Sequence, residues 1–165
     1  MSRRIPAAAV LLALLTALCV TPAMAAAAAE LPVRITVSGD APAVPETFTL
    51  TLRAASDNAP LPAGGRDGVY TCTVSGGGTV TLSIPADREG KHLYTLRQEP
   101  GRLSRGAYDD RTYHIAVTVA ADGRCTAAVL AVTSAGGVRT RVARLDEDMW
   151  TELFFDNADM LSQEL

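Results

Sequence analysis

The stretch Tyr113-His114-Ile115-Ala116-Val117-Thr118-Val119-Ala120-Ala121-Asp122-Gly123-Arg124-Cys125-Thr126-Ala127-Ala128-Val129 decides the fold. Tyr113, Ile115, Val117 and Val119 recur with period two, the spacing that puts every apolar side chain on one face of a pleated strand. A small-residue run over 125–132 follows, and Asp122-Gly123 between the two is a pair suited to the positive φ of a tight hairpin turn. Two antiparallel strands are therefore expected here.

The same period extends outward in both directions. Val33/Ile35/Val37, Phe48/Leu50/Leu52, Tyr70/Cys72/Val74, Val80/Leu82/Ile84 and Tyr94/Leu96 each read as a half-buried strand. Thr47, Thr49, Thr51, Thr71 and Thr73 fill intervening positions, where a β-branched polar residue suits the solvated face. Between the runs stand Gly39-Asp40, Asn58-Ala59-Pro60, Gly64-Gly65, residues 76–78, Pro100-Gly101 and Gly136-Gly137, which have turn chemistry. Seven or more short strands with such regular punctuation predict an all-β, antiparallel sandwich in a single domain. Near the end, Leu145, Met149 and Leu153 match helical spacing, whereas Thr151/Leu153/Phe155 alternate; a closing strand over 150–157 is the preferred expectation.

Residues 1–25 have the form of a secretory signal peptide: Arg3 and Arg4 supply a charged start, 7–20 an apolar run, and Ala23-Met24-Ala25 a cleavage site, with cleavage expected after Ala25. The run is shorter than the roughly 20 residues that span hydrocarbon. Cys19 follows Leu18 rather than the small residue of a lipoprotein signal. Residues 26–30 read as an Ala-rich, frayed spacer, 31–157 as the domain and 158–165 as a short polar tail. A secreted, extracellular protein without a transmembrane anchor is expected.

With 15 Lys and Arg against 18 Asp and Glu, the chain carries a net charge of -3, which argues against a nucleic-acid partner. Loss of Arg3 and Arg4 with the leader makes the mature protein more acidic still.

Three segments, taken in order and spacing, resemble one family. Tyr94-Thr95-Leu96-Arg97-Gln98, then Tyr108-Asp109-Asp110-Arg111-Thr112 running into the Tyr113 strand, then Phe155-Asp156-Asn157 are similar to the streptococcal pilin isopeptide-linkage domain of Gram-positive pilus and surface proteins. Glu46-Thr47-Phe48-Thr49-Leu50-Thr51-Leu52 matches that family's second strand, so the resemblance covers residues 31–157. It implies an immunoglobulin-like β-sandwich on the bacterial exterior. It also implies a reaction in which a first-strand lysine attacks a last-strand asparagine with help from a buried acid.

That chemistry needs a neutral amine and an acid that shuttles protons to departing ammonia. Asn157 fills the asparagine position, but the strand around Ile35, the approximate lysine position, holds only Arg34 as a base. Arginine stays protonated and offers no nucleophilic lone pair. Gln98 stands at the acid position, with Glu99 one step along and so on the opposite face. Lys91, the sole lysine, opens a different strand and reads as a solvated charge. No isopeptide bond is expected.

Cys72 and Cys125, an even pair in an exported chain, are expected to form a disulfide, the alternative being two free thiols acting as small apolar residues. His114 has no orienting partner in sequence and reads as a surface residue rather than a base. Asp109-Asp110 and Asp146-Glu147-Asp148 lack the glycine-punctuated calcium-loop pattern, and residues 76–78 lack the lysine of a phosphate loop. Tyr70, Tyr94, Tyr108, Tyr113 and Trp150 read first as packing residues. The expectation is thus a structural or adhesive protein of the cell surface, without catalytic residues, cofactor or metal. Its partners would be other surface or pilus proteins or a host protein. The competing reading is a secreted protein-binding module or inhibitor.

Overall fold

A computed structural model describes residues 27–39, 43–102, 106–134, 137–139, 143–145 and 153–159. The expected leader over 1–25, Trp150 and the acidic run 146–148 lie outside the described residues. The described residues form eleven strands: β1 (Ala28–Ser38), β2 (Thr47–Ala54), β3 (Val69–Ser75), β4 (Gly78–Pro85), β5 (Gly90–Gln98), β6 (Gly106–Ala107), β7 (Thr112–Val119), β8 (Cys125–Ser134), β9 (Gly137–Arg139), β10 (Ala143–Leu145) and β11 (Leu153–Asp159). No helix occurs among the described residues.

The strands form two sheets. One runs β4-β1-β11-β6; the other runs β10-β8-β7-β5-β2-β3, with β9 also paired to β8. Every pairing is antiparallel except β1 with β11, which is parallel. A parallel pair needs a crossover rather than a hairpin, and here nearly the whole domain lies between the first strand and the last.

The core is the sum of the period-two faces. Leu31, Val33 and Ile35 of β1, Leu82 and Ile84 of β4, and Leu153 and Phe155 of β11 are buried. They form one cluster with Phe48, Leu50, Leu52, Tyr94, Leu96, Tyr113, Ile115, Val117, Val119 and Val129 of the other sheet. Edge-to-face packing of Tyr113 on Phe155, with centroids 5.4 Å apart, ties the two layers together.

The β7 and β8 hairpin is confirmed. Its loop closes with the Gly123 N–H donating to the Ala120 carbonyl and the Ala120 N–H donating to Arg124, both at about 2.8–2.9 Å. Gly123 takes φ 81°, so the connection is a tight turn followed by a left-handed residue, a form that glycine favours. Beyond it the ladder carries a bulge at His114/Ile115, which leaves Leu130 without a direct partner on β7. A second glycine corner, Gly76 at φ 67° and Gly77, carries the chain from β3 in one sheet to β4 in the other. A Cβ on Gly77 would stand 3.3 Å from the Ile35 carbonyl.

Two expectations need correction. Residues 28–30 of the expected spacer are strand: Ala28, Ala29 and Glu30 pair with Pro85, Ile84 and Ser83, and Ala29 continues the inward row of Leu31 and Val33. An alanine on the inward phase of a strand buries as its neighbours do. The expected bridge between Cys72 and Cys125 is absent, and both cysteines are free. Cys72 lies on β3 and Cys125 on β8, four places apart in the sheet order. At about 4.8 Å per strand that is roughly 19 Å, far beyond the reach of a disulfide.

Candidate functional site

Two of the positions singled out by the family resemblance lie on paired strands, and the third lies in the opposite sheet. In the β1 and β11 ladder Ile35 is in register with Phe155 and Val37 with Asn157. The register therefore places Val37, two residues beyond Ile35, beside Asn157. Thr36 fastens the seam from its side chain, its hydroxyl donating to the Phe155 carbonyl at 3.3 Å across a sequence separation of 119. Gln98 ends β5 in the opposite sheet, in register with Leu50, and is 4% exposed.

Ile35 is 1% exposed, an aliphatic residue closed into the core where the resemblance would place an amine. Gln98 is a neutral amide and has no proton to shuttle at any ordinary pH. Lys91 lies at the other end of β5, opposite Thr118, and is exposed. Seven residues of strand separate it from Gln98, about 24 Å at strand rise.

Near the start of β2 the polar side chains form short-range clamps that the sequence did not announce. The Tyr108 hydroxyl donates to Glu46 Oε1 at 2.6 Å, and the Arg102 N–H donates to the same oxygen at 3.1 Å. Tyr108 also sets its ring edge-on to Phe48, at 6.4 Å. Gly101 fits only because it has no Cβ, since one would collide with Glu46 and the Tyr108 ring. Glu46 thereby ties the start of β2 to the segment between β6 and β7. Tyr108 belongs to the tyrosine-aspartate motif, but its partner lies 62 residues away and no local spacing reveals it.

Asp109, 5% exposed at its side chain, is paired with Arg111, whose Nε donates to both carboxylate oxygens at 2.8–2.9 Å. The Arg111 backbone N–H donates to Asp109 as well, at 2.9 Å, making a compact turn ahead of β7. On the outer face, Glu99 accepts from Thr51 at 2.8 Å and from Arg97 at 2.7 and 3.1 Å. The Arg97 guanidinium holds the Glu99 carboxyl below its usual range despite partial burial, with Thr51 helping.

The remaining candidates sit apart. His114 is half-buried, with Nε2 3.2 Å from the Thr133 hydroxyl. Tyr94, buried in the core, donates to the Pro60 carbonyl at 2.6 Å; burial and then Asp87 push its hydroxyl up to about 12. Burial likewise pushes the Cys72 thiol up. Among the described residues no group of three His, Cys, Asp or Glu is placed to hold a metal ion. No helix of the described residues is long and apolar enough to cross a membrane.

No family model and no curated protein matches the chain. Among solved structures it is similar to the major pilin protein (T-13) from Streptococcus pyogenes, with 13% identity and a TM-score of 0.49, covering 79% of this chain and 51% of that one. It is also similar to another major pilin structure from Streptococcus pyogenes, at 14% identity and a TM-score of 0.41, covering 80% and 50%. The chain spans about half the length of these pilins.

Proposed function

We propose that the protein is an exported pilin-like domain of the Gram-positive cell surface, structural or adhesive in role, that stands without an intramolecular isopeptide bond. The observation that carries this reading is the seam between the first strand and the last. Asn157 is in register with Val37 on a strand that contains no lysine, and the neighbouring Ile35 is sealed in the core. The sandwich is held there by apolar packing and backbone pairing, and Gln98 replaces the acid that the cross-linking chemistry needs. Such a domain acts by presenting a rigid surface to other surface or pilus proteins, or to a host protein, with non-covalent association.

The reading is tested on protein recovered from its native host. Intact mass spectrometry is expected to return the mass of the exported chain with no loss of ammonia, and fractionation is expected to place the protein with the cell surface. Recovery entirely from the medium defeats the surface assignment. A mass short by one ammonia defeats the absence of the cross-link.

A further inference from the structure

Strand β3 forms one edge of its sheet, and among the described residues no strand pairs with its outer side. The β2 and β3 ladder shows which backbone groups face outward. Gly76 donates to Glu46 and Gly68 accepts from Ala54, so the even-numbered residues of β3 turn their N–H and C=O toward β2. The odd-numbered ones turn away from it, because a strand alternates its hydrogen-bonding direction residue by residue. Val69 is already satisfied on that side by Arg66, in both directions at 2.9 Å. Thr71 and Thr73 have no recorded backbone partner there among the described residues.

Open edges are ordinarily defended by lysine, proline or a bulge, and β3 has none of these. The undefended region is broad: residues 69–86, covering β3, the glycine corner and β4, contain no Asp, Glu, Lys, Arg or His. In a chain of net charge -3 a flank of this kind lets two copies approach without bringing like charges together. The strand is also nearly symmetric about its middle, since Thr71 and Thr73 flank Cys72, with Tyr70 and Val74 outside them.

We propose that the outer edge of β3 pairs antiparallel with the same edge of a second copy of this chain, about a two-fold axis through Cys72. In this arrangement Thr71 of each copy faces Thr73 of the other as a hydrogen-bonded pair, and the hydroxyls lie side by side on the solvated face. Cys72 faces its own copy in a non-hydrogen-bonded position, where Cα atoms stand about 4.5 Å apart, within the range a disulfide spans. The contact is isologous and closes on itself, so association stops at two. The turn that binds Arg66 to Val69 occurs once in each copy, so the two-fold axis ends the ladder at both sides.

The test uses the full chain with Cys19→Ser and Cys125→Ser, leaving Cys72 as the sole thiol. Light scattering over a concentration series is expected to rise from one chain mass, 17.3 kDa, toward twice that value. Diamide, which takes up the two protons and two electrons released by a pair of thiols, is expected to convert the associated form into a covalent dimer. Thr73→Lys, at an exposed edge position, is expected to weaken association at least tenfold and to suppress the cross-link, with an unchanged circular dichroism spectrum. A constant mass of one chain overturns the proposal. So does association that Thr73→Lys leaves intact, or a dimer that diamide does not link through Cys72.

Discussion

The β7 and β8 hairpin and the β1 and β11 seam are both backbone ladders, yet they are made in opposite ways. The hairpin joins neighbours in sequence through residues 120–124, and its turn bonds lie wholly within that short segment. The seam joins strands from the two ends of the domain, in parallel, with Thr36 reaching Phe155 across 119 positions. Closing so long a loop brings an entropic penalty that only packing offsets. The hairpin is thus specified by local chemistry, whereas the seam depends on what is buried beneath it. Where the resemblance implies a covalent bond across such a seam, this chain places Ile35, Phe155 and Tyr113.

The sharpest way to break the seam is Phe155→Ala. The ring is fully buried and packs edge-on to Tyr113, so truncation removes apolar area and leaves a cavity between the sheets. A loss of about 3–5 kcal/mol is expected in urea unfolding, enough to bring a domain of ordinary stability close to its threshold. Tyr108→Phe tests the clamp on Glu46 more gently. It keeps the ring against Phe48 but removes the donor to Glu46, and about 1.5 kcal/mol is expected from the same measurement. A null result for Phe155→Ala would mean that the seam is secondary to the rest of the core.

The contrast also explains what could be read from the residues alone. Eight principal strands were visible because alternation and turn residues are local properties: Tyr113 to Val119 shows its inward face without reference to any partner. Partner choice is not local. Nothing in the spacing of Cys72 and Cys125 reports that β7, β5 and β2 lie between their strands, and the expected bridge failed for that reason. The seam between the first strand and the last follows from no local pattern, and its register, Val37 beside Asn157, is set by the ladder itself. The clamp between Glu46 and Tyr108 was invisible, since each residue had a sufficient local role, one at a strand start and one in a motif. Ala28 to Glu30 pair as strand although the alanine run before them carries no alternation to read.

Damage to the hairpin is expected to be smaller and confined. Gly123→Ala forces a side chain into φ 81°, and no neighbour lies within 4 Å of the added methyl group, so the effect is backbone strain alone. About 1 kcal/mol is expected. Hydrogen exchange should show faster opening of amides at the β7 and β8 turn, with those of β1 unaffected. Equal acceleration in both regions would erase the distinction between local and long-range ladders.

The smallest effect lies on the outer face, where Glu99 joins the buried Thr51 of β2 to the exposed Arg97 of β5. Its carboxyl titrates below the ordinary value of 4.5, mainly through Arg97. A group whose folded pKa is depressed stabilises the fold above its unfolded pKa, and that contribution disappears as the pH falls through the folded value. Glu99→Gln is therefore expected to be slightly less stable than the parent at neutral pH and to converge with it under acid. The parent alone loses the ionised partner of Arg97 as the pH drops below about 4.5. Because Arg97 is 55% exposed, solvent screens the pair and the neutral-pH difference should be a few tenths of a kcal/mol at most. Urea midpoints measured for both proteins from neutral pH downward provide the check. Parallel curves would assign the acid sensitivity of this face to other carboxylates, whereas convergence would show that even the outer surface of the β2 and β5 pair is held partly by charge.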